Sequence, residues 1–157
     1  MKTMFTASAL SIATLIASSA RAEAPMGTGT WEGSGSAVER SGKKVSDFEV
    51  RVTRKEAGVG KVRADGIVKL SNGHEIRFWQ EFERKSEGGF ALTSDRGKGG
   101  GRCFDNGMCQ TYEATENGHA FATTLAKDEE GKLRLVITEL EHGQAVKFFY
   151  QTLRKTQ

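Results

Sequence analysis

The sequence predicts an all-β protein: a single antiparallel up-and-down β-barrel of about ten strands, closed or nearly closed. Three observations carry this reading. From Thr28 onward apolar and polar residues alternate with period two, and no segment there has the i, i+3, i+4, i+7 apolar spacing of an amphipathic helix. Turn signals punctuate the alternation about every 10 to 15 residues. The chain of 157 residues holds 19 glycines and one proline, which is the inventory of a sheet joined by tight turns.

Residues 1–22 are set apart as a secretory signal. Lys2 supplies the positive start, Met4 to Ala17 the apolar stretch, and Ala20-Arg21-Ala22 an A-x-A cleavage site. The apolar stretch is shorter than the ~20 residues a membrane-spanning helix needs. The barrel domain is therefore expected over 23–157, exported to a bacterial periplasm or secreted. Removing Lys2 and Arg21 takes the formal charge from +3 to about +1. That near-neutral balance argues against nucleic acid as a partner, although Arg51, Arg54, Lys55, Lys61 and Arg63 lie close together.

The first strand opens at Gly29-Thr30-Trp31-Glu32-Gly33-Ser34-Gly35. In the second, Phe48, Val50 and Val52 alternate with Glu49, Arg51 and Thr53. The third sets Val62, Ala64, Val68 and Leu70 against Lys61, Arg63, Asp65 and Lys69. The fourth carries His74, Ile76, Phe78, Gln80 and Phe82 on one face and Arg77, Trp79 and Glu81 on the other. One apolar and one charged face suit an antiparallel sheet in water, and oppose membrane insertion, which would need an apolar exterior.

Turns at Ser41-Gly42, Ala57-Gly58, Asn72-Gly73, Glu87-Gly88-Gly89, Gly97 to Gly101, Asn106-Gly107, Asn117-Gly118, Glu130-Gly131 and His142-Gly143 separate ten strands. An even number lets the first and last strands pair antiparallel and close the sheet, removing exposed edges. Phe90 to Asp105 also reads as one long bulged strand rather than two short ones. The Gly97 to Gly101 stretch is read as a flexible connection, with anion binding by its backbone as the alternative.

Cys103 to Cys109 reads as a hairpin with the loop Asp105-Asn106-Gly107, Gly107 taking the left-handed position. This register sets Cys103 opposite Cys109, within reach of a disulfide, and export supplies the oxidising compartment.

In such a meander alternate turns share an end. One end then collects His74, His119 and His142, with Arg96, Lys98 and Arg102 of the Gly-rich stretch. The other collects Glu87, Asp105, Asp128, Glu129 and Glu130. A basic, histidine-bearing mouth and an acidic base result. The inward face is read to include Tyr112, Val146, Phe148 and Tyr150, with the polar Gln80 and Ser94. Gln80, Tyr112 and Tyr150 would orient a ligand in the interior, since a ten-strand barrel leaves more internal space than an eight-strand one. Trp79, Phe149 and Leu153 are read as outward.

The G-T-W-x-G-x-G opening resembles that of calycins, the group that contains lipocalins and fatty-acid-binding proteins, and is similar to the start of nitrobindin-like haem-binding barrels. The resemblance implies a barrel plugged at one end by Trp31, stacked on a basic residue of the last strand, here Arg154. It also implies haem as a cofactor held through a histidine, with His142 and His119 as candidates. The export signal and the cysteine hairpin depart from the nitrobindin pattern.

The chain has no H-E-x-x-H, no G-x-S-x-G and no phosphate-binding P-loop. His74 and Glu75 are adjacent on a strand, so they point to opposite faces and form no dyad. The function expected is therefore binding of a small apolar or amphipathic ligand, haem among the candidates, rather than catalysis. The alternative is a protein-interaction module, an exported inhibitor or envelope-assembly factor, using Trp79 or the 94–109 region.

Overall fold

A computed structural model describes residues 27–157; the expected signal segment and the tail before Gly27 lie outside the described residues. Ten strands follow in chain order: β1 (Gly29–Glu39), β2 (Lys44–Gly58), β3 (Lys61–Leu70), β4 (Glu75–Arg84), β5 (Gly89–Ser94), β6 (Gly97–Cys103), β7 (Cys109–Thr115), β8 (His119–Lys127), β9 (Leu133–Glu141) and β10 (Gln144–Lys155). Each pairs antiparallel with its neighbours in sequence, and β1 pairs with β10, so the sheet closes into one barrel. The ambiguous stretch after Phe90 is two strands, β5 and β6, joined by Asp95 and Arg96.

Alternation sets the wall. On β2, Phe48, Val50 and Val52 are buried while Glu49 and Arg51 are exposed. The same even-numbered face continues through Val62 and Ala64 of β3, Phe82 of β4, and Phe90 and Leu92 of β5. Across the barrel the inward set is odd-numbered: Cys109, Leu125, Leu133 and Leu153.

The Gly-rich stretch is not a flexible connection but the strand β6, paired on both sides. Its glycines are required by curvature. A Cβ at Gly97, Gly99 or Gly101 would collide with the carbonyl oxygens of Ala114, Tyr112 and Gln110 on β7. Gly33 and Gly35 of β1 stand in the same relation to Thr152 and Tyr150 of β10. The wall therefore bends sharply at two places, β1 and β6, half-way round the barrel from each other, where glycine lets adjacent backbones close up.

β10 faces the other way from the sequence expectation. Counting alternation back from the His142-Gly143 turn puts Val146, Phe148 and Tyr150 inside. A bulge between Ala145 and Lys147 slips the register by one residue, and such a slip moves every following side chain to the opposite face. Phe149 therefore points inward, 6.4 Å from the Phe48 ring, and Leu153 is 1% exposed. Tyr150, 48% exposed, is outward. The Phe148-Phe149-Tyr150 run carries aromatics on both faces, so composition could not detect the slip.

Cys103 sits opposite Cys109 and is bonded to it, with Cα atoms 4.0 Å apart. Gly107 takes φ 81° in the loop between them. The inward Cys109 fixes the phase of β7: Thr111 and Glu113 follow it inside, and Tyr112, 52% exposed, lies outside. At this end Trp31, Phe82, Phe90, Leu125, Leu133 and Leu153 pack together. Phe82 and Phe90 meet edge to face at 5.7 Å. Trp31 does not meet Arg154, which pairs with the outward Glu32; its register partner is Lys155, and Lys155 and Arg54 each lie 5.9 Å from its ring.

Candidate functional site: a cavity closed at one end

The connections 40–43, 71–74, 95–96, 116–118 and 142–143 share one end of the barrel, and the Trp31 cluster fills the other. At the first end the inward residues are poorly covered, and Ile76 is 46% exposed. The mouth is here. Behind it lies a cavity of about 440 Å³, reaching from Leu70 and Ile76 down to Arg54 and Leu153. Its wall is mostly apolar, formed by such residues as Val50, Val68, Leu135 and Ile137. This volume falls in the ~300–1,000 Å³ range of small-molecule sites.

Among the described residues two charged side chains are buried, and they differ in their partners. On one side Glu113, 2% exposed, accepts hydrogen bonds from the Ser94 hydroxyl, from Arg96 Nη2 at 3.1 Å and from Gln80 Nε2 at 3.4 Å. Ser94 Oγ in turn accepts the backbone N–H groups of Arg96 and Gly97 at 2.9 and 3.1 Å, holding the β5–β6 turn. The Arg96 guanidinium lies 4.4 Å from the Phe121 ring centre. The buried carboxylate is thus neutralised and fully engaged, as burial demands.

Arg54 is the opposite case. It occupies an inward position at the deep end of β2, is 6% exposed, and lines the cavity. Its Nε and Nη1 are shielded from solvent and have no hydrogen-bond partner. Apart from these, the one buried side-chain donor without a partner among the described residues is Trp31 Nε1, on the ring beside it. Burial without a counter-ion pulls the guanidinium pKa down to about 10, because removal from water disfavours the charged form.

The histidines share the mouth's end, as alternate-turn geometry expects, but none lines the cavity. His74 and His142 are exposed in turns, His142 with φ 49°. His119 Nδ1 is 3.4 Å from Glu139, and its Nε2 is 4.0 Å from Glu141. Lys98 and Arg102 are exposed on β6, and Arg102 lies toward the closed end, 3.7 Å from Glu87. The expected division into basic mouth and acidic base is not clean. Asp128 and Glu87 at the closed end are paired with Arg134 and Arg102, and Glu139 near the mouth is paired with Lys147. Of the expected site residues, the cavity brings together Gln80 and Arg96. Tyr112 and Tyr150 are excluded by strand phase. Trp79 is outward and half-buried, with Arg63 4.6 Å from its ring centre.

The barrel matches solved structures over most of its length. The S-type phycobiliprotein lyase CPES from Guillardia theta superposes with a TM-score of 0.66 at 9% identity, covering 83% of this chain and 88% of the other. Rv2717c from M. tuberculosis superposes with a TM-score of 0.64 at 13% identity, covering 90% and 99%. A protein of unknown function from Nostoc punctiforme reaches 0.60 at 12% identity, covering 82% of this chain and 47% of that one. The likeness is one of fold. No protein-family model and no curated protein sequence matches the chain.

The haem implied by the G-T-W opening can be tested against the wall. Haem iron takes an axial His, Cys thiolate, Met or Tyr. Among the cavity-lining residues there is no His, Met or Tyr, and the lining Cys109 is committed to its disulfide. The residues do not fit an iron ligated inside the barrel.

Proposed function

We propose that this protein is an exported carrier or receptor for a small apolar or amphipathic molecule held inside the barrel. The observation that carries the reading is the mostly apolar cavity of about 440 Å³, open at one rim and closed by the Trp31 cluster at the other. In a chain with many large apolar residues, unfilled internal volume forfeits dispersion contacts, so an interior left open beneath an uncovered rim is best understood as space for a ligand. One of the fold relatives is a phycobiliprotein lyase, which supports a small-molecule role for this architecture. Export is supported by the pattern of residues 1–22 and by the Cys103–Cys109 bridge, and N-terminal sequencing of the mature protein should begin at Glu23.

Native mass spectrometry of the protein isolated from its own source tests the reading. A one-to-one adduct of a small molecule is expected, lost on denaturation. A ligand-free mass, together with no uptake of an added apolar fluorophore, would contradict it. The protein-interaction alternative has one observation in its favour: Tyr150 and Val136, 48% and 39% exposed, stand side by side along a shallow groove on the outer wall that runs from β3 across β1 to β9.

A further inference from the structure

The charge left unpaired at the bottom of the cavity says what kind of molecule fills it. We propose that the ligand enters head first: an amphipathic anion, its small oxyanion group on the Arg54 guanidinium at the closed end and a single apolar tail running up the barrel to the mouth. The inference rests on the cavity being a ligand site.

The other buried charged side chain among the described residues has its opposite, and so does the half-buried Glu139 of the cavity wall. Glu113 has Arg96, and Glu139 has Lys147 and His119. Arg54 has no ion pair among the described residues, and two of its nitrogens are both buried and without an acceptor. Its inward neighbours, Val52 on its own strand, Ala64 opposite on β3 and Trp31 on β1, offer none. A lone buried guanidinium is among the most unfavourable arrangements a core can contain, whereas the same guanidinium facing a cavity is a finished half of a bidentate site. Its planar fork of donors matches the two oxygens of a carboxylate or a phosphate.

The walls above it decide the rest of the ligand. Val50, Val68, Leu135 and Ile137 line the route to the mouth, so the part of the ligand behind its head must be apolar. A neutral head would leave the charge of Arg54 unmatched, and a cationic head would add a second positive charge beside it. A carboxylate and a phosphate share the chemistry required, and the experiment separates them.

The test is calorimetric titration of ligand-stripped protein with decanoate, decyl phosphate, decanol and decylammonium, all with the same tail. One or both anions should bind at least about tenfold more tightly than decanol, and decylammonium should bind most weakly. A preference for decanoate assigns a carboxylate head and a preference for decyl phosphate a phosphoryl head. The anion's advantage should persist at high salt, because a buried pair is little screened. In Arg54→Met the anion's advantage over decanol should vanish. Equal binding of anions and decanol by the wild-type protein, or an advantage that survives Arg54→Met, overturns the inference and leaves the cavity reading standing. Failure of all four compounds to bind overturns both. The head-group series on the wild-type chain decides the matter even if the variant does not fold.

Discussion

Replacing Arg54 by methionine should stabilise the empty protein. A guanidinium whose pKa is pulled down to about 10 by burial has lost roughly 3 kcal/mol of preference for its charged form on folding. Methionine removes that cost and keeps a flexible chain of similar reach among apolar neighbours. Against this stands the guanidinium's contact with the Trp31 ring at 5.9 Å, worth about 0.5–1 kcal/mol. The net gain is about 2 kcal/mol. Because the folded-state pKa lies below the unfolded one, the unfolded chain holds the proton more firmly. The wild-type deficit is thus fully present below pH about 10 and shrinks as pH rises beyond it. The assay is urea unfolding of ligand-stripped wild type and Arg54→Met at neutral pH, with the slope checked for constancy so that a changed midpoint means changed stability. A variant less stable than wild type by about 1 kcal/mol or more would refute the claim that Arg54 is unpaired, because removing one member of a buried pair destabilises.

Gly99→Ala should destabilise by about 1–3 kcal/mol or prevent folding, since the new Cβ meets the Tyr112 carbonyl oxygen; thermal melting of the variant checks this, and an unchanged midpoint would remove the corner from the account. Replacing Cys103 and Cys109 together by serine should cost roughly 2.4 kcal/mol, the loop-closure value for so short a ring, read by urea unfolding against the oxidised parent. His142→Asn should stabilise by a few tenths of a kcal/mol, because asparagine tolerates the left-handed backbone at φ 49° better than most residues; differential scanning calorimetry reads the shift. Stability should fall on acidification. Hydrogen bonds from Lys44 and Ser36 hold Asp47 below its usual 3.8, and Lys85 with Lys61 holds Glu83 below 4.5. The stability these carboxylates contribute is complete above those ordinary values and is lost as pH drops through the lower folded-state ones, a trend that urea midpoints at stepped pH would show.

The barrel was legible in the sequence because each of its determinants is local. Period-two alternation and a glycine or asparagine at nearly every reversal give strand number and parity, and parity gives closure and the shared rim. The disulfide was legible for the same reason, since a seven-residue hairpin fixes its own register. What misled was non-local. The bulge at Ala145 to Lys147 carries no composition signal, and it alone turns Tyr150 out and Leu153 in. The Gly-rich stretch looked like slack chain, because the demand for glycine there comes from the carbonyls of β7, a different strand.

The site was half legible. Gln80 announced itself as a polar residue on an apolar face. Arg54 carried the same signal, as the next even position after Phe48, Val50 and Val52, yet it disappears into the run Arg51, Arg54 and Lys55 when charges are counted along the chain. Glu113 could have been found by phasing β7 from an inward Cys109. The histidines shared an end with the mouth without reaching its lumen, which shows how turn parity locates a rim but not what points into it.

The central claim is that ligands occupy the lumen, and nuclear Overhauser contacts from protein methyl groups to bound decanol test it most directly. Contacts are expected to the inward methyls of Val50, Val68, Leu135 and Ile137, and none to Val136 on the outer wall. Contacts confined to Val136 and the Tyr150 ring would place binding in the outer groove and contradict it.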